Sequence, residues 1–349
     1  MKKFFLPFLL ILAAASCEDE LQAPSDGMPE TVLLLDGWIS SLDSLHTLKV
    51  AESSLSKGLI EAKDVKVSIY VNGVLKDESD SVVAHSSITS EFILKALLAP
   101  GDMVEVRAES PAGHASASSV IMPAPSVSNA SYDGILRMSY YDYSNKREGT
   151  FELFRFDLHD SPGNRDVYRI GLFRTSDFVL VADDVDDEYP YPSSKPVGWT
   201  QHNPMQPYEA YNMLEPAMKI DWGRADYSNS NFTLFTDRFF DGDTYRVSVL
   251  SLPYVTPSYG YGGRETRAIR EKAIVRVESV SEEAYRYYAD VEYAKGGTSV
   301  IPMFYEPPIL PSNVDGGIGF VCFASATELV CDLPEELIGW RAENPEEKD

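Results

Sequence analysis

The sequence predicts a mainly β protein. An N-terminal antiparallel sandwich of immunoglobulin-like or transthyretin-like type should precede a larger β-rich domain with one clear helix near 281–295. Three observations carry that expectation. Short runs of alternating apolar and polar residues recur along the chain with turn residues between them. Those runs are rich in β-branched and aromatic residues, which suit a pleated, half-buried surface. Only one stretch combines helical spacing with a capping sequence at its start and a glycine at its end.

The opening "MKKFFLPFLLILAAASC" is not part of the fold. Lys2 and Lys3 precede an apolar run from Phe4 to Ala15, which is well short of the ~20 residues needed to span a bilayer. Ala14, Ala15 and Ser16 then lead into Cys17, the order of a lipoprotein signal in relaxed form. Residues 1–16 are read as a signal peptide and Cys17 as a thiol that receives lipid; the alternative is an ordinary secretory signal with an incidental cysteine. Glu18, Asp19 and Glu20 follow directly. Acids there would be repelled by anionic headgroups, so they do not hold the chain to the membrane electrostatically. They resemble the acidic tag that follows the lipidated cysteine of lipoproteins exported to the cell exterior; the alternative is a solvated tether. Residues 17–30 form a polar tether with two prolines and a glycine.

The first domain is expected over 31–122. "TVLLLDGWIS" and "LHTLKVAES" read as strands. In "DVKVSIYVNGVLKDES", Val65, Val67, Ile69 and Val71 alternate with polar residues, and Asn72-Gly73 supplies the positive φ angles of a tight hairpin. "SEFILKALL" is ambiguous between strand and helix. "GDMVEVRAESPAGHASASSVIMPAP" is a second hairpin that turns at Pro111 to Gly113 and stops at Pro123 and Pro125.

The second domain is expected over 123–340, with a polar tail at 341–349. "TFELFRFDLHD", "DVYRIGLFRT", "DFVLVAD", "NFTLFTD", "DTYRVSVLSL" and "KAIVRVESV" read as strands, with Asp241-Gly242 as a hairpin turn. In "SVSEEAYRYYADVEYAKGG", Ser279 and Glu282 have capping-box spacing, Ala284, Tyr288 and Val291 share a face, and Gly296 can end the helix. Near the end, "GFVCFASATELVCD" holds two apolar runs around Ala326-Thr327. Antiparallel pairing about that point would oppose Cys322 and Cys331 as a disulfide; the alternative is two buried thiols.

The chain carries 30 Lys and Arg against 54 Asp and Glu, a formal net charge of −24. Losing Lys2 and Lys3 with the signal makes the mature chain more negative still. That charge argues against nucleic acid and against peripheral binding to anionic lipid.

No chemistry is selected by motif. His46, His85, His114, His159 and His202 are scattered without the context of a nucleophile elbow. "DGGIG" has no following Lys-Ser or Lys-Thr, so it is no phosphate loop. Asp183, Asp184, Asp186, Asp187 and Glu188 lack the glycine and distal glutamate of a calcium loop and read as a solvated acidic loop. No catalytic residue, metal site or cofactor is expected. The candidate contact residues are aromatic: Tyr189, Tyr191, Trp199, Tyr208 and Tyr211 in one long loop, and Tyr254, Tyr259 and Tyr261 in another. Such side chains cover apolar ligand faces at low entropy cost, which suits a glycan, a peptide, a small molecule or a protein partner. The alternative is tyrosines packed down on the sheet.

The order of several segments resembles one family. The acidic signal, "LLLDGWISS", "FTDRFFDGDTYRVSVLSL", "VESVSEEAYRYYADVEY" and "FYEPPILPSNVDGGIGFVCFAS" together resemble the Bacteroidetes outer-membrane lipoproteins grouped as domain of unknown function 4249. The resemblance is firmest from Phe232 to Ser325. It implies a surface-facing outer-membrane lipoprotein that assists a TonB-dependent transporter by capturing cargo or capping it. It carries no catalytic residues across. The other readings are a stand-alone surface binding module or adhesin, and a glycan or peptide hydrolase.

Overall fold

The computed structural model describes residues 31–54, 57–85, 88–142, 145–182, 198–205, 207–209, 215–216, 233–238, 240–251, 264–296 and 310–334. Cys17 and the acids Glu18, Asp19 and Glu20 lie outside them. The first part of the chain runs β1 (Thr31–Ser40), β2 (Leu45–Ser54), β3 (Gly58–Ile60), β4 (Lys66–Val71), β5 (Val74–Ser79), β6 (Ala84–His85), β7 (Ser90–Lys95), β8 (Met103–Ser110) and β9 (Gly113–Val120). It continues with β10 (Ser126–Asp142), β11 (Asn145–His159), β12 (Val167–Ala182), β13 (Gly198–Met205), β14 (Pro207–Glu209), β15 (Glu215–Pro216) and β16 (Thr233–Thr236). The last part holds β17 (Thr244–Ser251), β18 (Arg264–Val280), the helix α1 (Glu282–Gly296) and β19 (Gly317–Asp332). Among the described residues, no helix is long and apolar enough to cross a membrane.

One long sheet forms the spine, in the order β15-β16-β12-β18-β19-β1-β2-β7-β6. Two small sheets pack on it. The sheet β5-β4-β8-β9 covers β1, β2 and β7, closing a core of Leu33, Leu35, Leu48, Val50, Phe92, Val67, Ile69 and Val106. The sheet β10-β11-β17-β14 covers β12 and β18 over Phe154, Phe156, Ile170, Leu172, Val247 and Val275. The alternation in "VKVSIYV" and "TFELFRFDLHD" produces these inward faces, and each fully buried side chain contributes roughly 1.5–3 kcal/mol.

β19 joins the two sandwiches. Its first half, from Gly317 to Ala324, pairs in parallel with β1. Its second half, from Ser325 to Asp332, pairs antiparallel with β18 on the opposite edge. Its side chains feed three cores. Val321 and Phe323 enter the first sandwich and Cys331 the second, while Phe320, Cys322 and Ala324 face α1 with Val280 and Ala284. Glycine is required at one point of this strand. Gly319 has φ +113°, and a Cβ there would collide with the Leu35 carbonyl oxygen of β1.

Several expectations change. The region 31–122 does form a sandwich, but β19, from the segment expected to lie within 123–340, returns to complete its sheet. The hairpin around Ala326-Thr327 is one continuous strand. Cys322 and Cys331 therefore lie nine positions apart along an extended chain and point to different cores, as free buried thiols. Asp241-Gly242 does not close a hairpin between sheet neighbours, because β16 pairs with β12 and β17 pairs with β11. "DVYRIGLFRT" and "DFVLVAD" are one strand, β12. The helix cap moves by two residues: Ser281 Oγ accepts from Ala284 N at 3.1 Å, while Ser279 belongs to β18.

Candidate functional site

The spine gives the molecule two poles. Leu33 pairs with Gly317, so Thr31 and the tether before it leave at the start of β19. The 16 residues of β19 cover about 50 Å. β18 then runs on past Lys272, the residue opposite Asp332, to Arg264. That adds about 25 Å of strand.

The far pole is where one aromatic segment leaves and the other arrives. Ala182 pairs with Arg264, so segment 183–197 leaves and segment 252–263 arrives at the same rung. Ser251, where segment 252–263 starts, pairs with Glu152 on the facing sheet. Trp199 lies on β13 opposite Phe178, in the spine sheet. Tyr208 lies on β14 opposite Leu250, in the covering sheet. Tyr189, Tyr191, Tyr211, Tyr254, Tyr259 and Tyr261 fall outside the described residues, as do Asp183, Asp184, Asp186, Asp187 and Glu188. The topology thus brings the anchors of both aromatic segments to one end.

Beneath that end the two sheets are tied by a buried ion cluster. Arg174 of β12, 3% exposed, donates to Glu152 of β11 at 3.0 and 3.1 Å and to Glu271 of β18 at 2.7 Å. One guanidinium thus serves two carboxylates. Burial pushes the Glu152 carboxyl up, Arg174 pulls it down, and Glu271 pushes it up again; burial is the largest cause. The Tyr132 hydroxyl is buried close by with no hydrogen-bond partner, and burial pushes its pKa up to about 12. Sequence reading missed this cluster because its members stand on separate strands with no shared spacing.

The opposite end of the second sandwich carries acids. Asp160, Asp166 and Asp237 bring carboxylate oxygens within 4.8 Å of one another and are the described residues best placed to hold a cation. These acids also organise the turns. Asp160 accepts from Tyr168 Oη at 2.6 Å and Gly242 N at 2.8 Å, and Asp237 accepts from Asp166 N at 2.9 Å. Asp241 accepts from Gly163 N at 2.8 Å. Burial, then repulsion from neighbouring aspartates, raises the Asp166 carboxyl; burial likewise leads at Asp237. A cavity of about 490 Å³ adjoins them, lined by Gly163, Asn164, Arg165, Asp237, Arg238 and Asp241. The turn signals in "HDSPGNRD" and "FDGD" were visible in sequence, but their convergence was not.

Where the sandwiches meet, Arg169 and Trp38 lock them together. Trp38 Nε1 donates to Glu278 at 3.2 Å, and Arg169 donates to the same carboxylate at 2.8 Å while lying 4.1 Å over the indole. Arg276 reaches Asp43 at 3.1 Å and Glu328 at 2.7 Å and lies over Phe173. Tyr288 of α1 also packs against Trp38, with ring centroids 5.7 Å apart. The small cavity here, about 240 Å³, is lined by Trp38, Asp43, Arg169, Phe173, Arg276 and Glu278, most of them members of these ion pairs. Its geometry is that of a joint between the two halves.

A family model described as "Domain of unknown function (DUF4249)" matches residues 18–329. No curated protein matches the chain.

Proposed function

Because the chain belongs to the DUF4249 family, we propose that it is a non-enzymatic, lipid-anchored protein of the outer membrane that faces the cell exterior and assists a TonB-dependent transporter. On this reading Cys17 carries the lipid, and Glu18, Asp19 and Glu20 direct export. The aromatic segments around Tyr189 to Tyr211 and Tyr254 to Tyr261 contact a glycan, a peptide, a small molecule or the transporter itself. One observation carries the reading most: the tether and the anchors of both aromatic segments leave from opposite poles of one spine. A contact surface placed that way stands clear of the membrane that holds the protein.

The experiment is a tagged pull-down from detergent-solubilised outer membrane. An outer-membrane transporter should be recovered with the wild-type chain. Tyr191→Ala with Trp199→Ala should weaken that recovery without lowering the melting temperature. Recovery unchanged with a lowered melting temperature would assign these residues to packing. Absence of a transporter from the wild-type sample would favour a stand-alone binding module.

A further inference from the structure

Among the described histidines, His46 alone is buried, at 1% exposed. It lies near the start of β2, on the inward face with Leu48 and Val50, opposite Leu94 of β7. Its Nε2 is 3.1 Å from the Ala96 carbonyl oxygen. A carbonyl only accepts, so Nε2 carries the proton and Nδ1 is left as a bare acceptor. Nδ1 is buried and, among the described residues, has no hydrogen-bond partner. The core that this face joins is apolar, with Ile39 of β1, Val71 of β4, Leu94 of β7, Val104 of β8 and Ala117 of β9. Lys49 of β2 and Glu91 and Lys95 of β7 lie on the opposite face. Asp77 of β5 accepts from Lys95 N at 2.8 Å. Burial pushes the ring's pKa down; the Ala96 carbonyl and the Asp43 charge push it up by less.

The turn just before His46, residues 41–44, braces the joint between the sandwiches. Ser41 N donates to Ala324 O at 3.0 Å, and Ser41 Oγ accepts from Ala326 N at 3.1 Å. Asp43 accepts from Arg276 of β18 at 3.1 Å. Ser44 O accepts from Ala96 N at 3.2 Å. Ala96 is therefore held twice, by Ser44 through its N–H and by His46 through its carbonyl.

We propose that His46 is an acid-operated latch on this brace: when the ring takes a proton it leaves the core, and the 41–44 turn releases Ala96, β18 and β19. A second proton has to sit on Nδ1. It would bury a cation and an N–H with nothing to accept it, so the protonated ring is expelled toward water. His46 is two residues from Ser44, so its departure pulls on the turn. β19 still runs through both halves, and the molecule stays in one piece. What is lost is the side brace that fixes the far pole relative to the tether. The ring binds its proton less readily folded than unfolded. The latch therefore contributes fully above the ordinary histidine pKa and is lost as pH falls through the lower folded value.

The test is amide hydrogen exchange on the mature chain, corrected for intrinsic rate, at about pH 7.5 and about pH 5. Ser41, Ala96 and Ala326 should lose protection by about tenfold or more at the lower pH. The ladder of β4 with β8 should keep its protection and so report that the sandwich is folded. His46→Gln retains a neutral donor for Ala96 and should keep Ser41 and Ala326 protected at both values. A second measurement needs wild type alone. Nitrogen NMR of the His46 ring should show a proton on Nε2 only at the higher pH, and its titration should coincide with the loss of protection. Equal acid sensitivity in wild type and His46→Gln would overturn the proposal. So would loss that spreads equally to the β4–β8 ladder, or a ring that stays neutral at the lower pH. A ring that gains its proton while Ser41 and Ala326 stay protected would overturn it as well, by placing the imidazolium against Asp43 inside an intact brace.

Discussion

The buried cluster at Arg174 shows what a single side chain decides. Its guanidinium holds the two buried carboxylates of Glu152 and Glu271. Removing it as Arg174→Met leaves both without their cation and should cost about 3–5 kcal/mol. Glu152→Gln leaves Arg174 with Glu271 and should cost less than ~1 kcal/mol. Urea unfolding of the two variants checks the contrast. The pH dependence has a definite sign. Folding raises the Glu152 carboxyl, so its contribution is present at acid pH and is lost as pH rises through the raised value. Stability of Glu152→Gln should be flatter across that window than wild type. The aspartate cluster gives a second contrast. Asp237, 2% exposed, accepts from Asp166 N. Asp237→Asn keeps an acceptor while removing repulsion and should leave the melting temperature equal or higher. Asp237→Ala orphans the amide and should cost roughly 1–3 kcal/mol.

At the scale of elements, the strands that alternate strictly were legible, and the ones shared between partners were not. Val65 to Val71 with Asn72-Gly73 gave a hairpin that the structure contains, with positive φ at both turn residues. "GFVCFASATELVCD" misled because Ala326-Thr327 resembles a pause between two strands. In the folded chain it lies within β19, where Thr327 Oγ1 donates to the Pro125 carbonyl. A strand that changes partners midway has no local signature, since the switch from β1 to β18 is set by residues about 280 and about fifty positions earlier. Gly319 is where this joint is most exposed to mutation. Gly319→Ala needs both a strained φ and movement of β1, so it should destabilise by about 2 kcal/mol or more. The helix is simpler. Ser281→Ala removes its capping oxygen and should cost about 1 kcal/mol, whereas Ser279→Ala should leave the cap intact. Thermal melts on the three variants separate these outcomes.

For the whole molecule, the proposed compartment rests on the opening residues, whereas the proposed orientation rests on the topology. The joint of Trp38, Arg169, Glu278, Arg276 and Asp43 ties the two sandwiches, so the far pole is held in register with the end that carries the tether. Residues 17–30 can span up to about 45 Å when extended, a reach that on the proposed reading would let the far pole meet a neighbouring transporter. Membrane attachment should depend on Cys17: Cys17→Ala should appear in soluble fractions. The shared rung of Ala182 and Arg264, where one aromatic segment leaves and the other arrives, was not legible in sequence, because its two strands lie far apart in the chain.

On the proposed reading, the pole opposite the tether makes the functional contact. Photo-crosslinking on intact cells tests it most directly, with the crosslinker placed in turn at Val179 of the far ladder and at exposed Leu59 of β3 near the tether. An adduct with an outer-membrane transporter from Val179, absent from Leu59 and lost with Cys17→Ala, is the expected result. An adduct from Leu59 with none from Val179 would contradict the account.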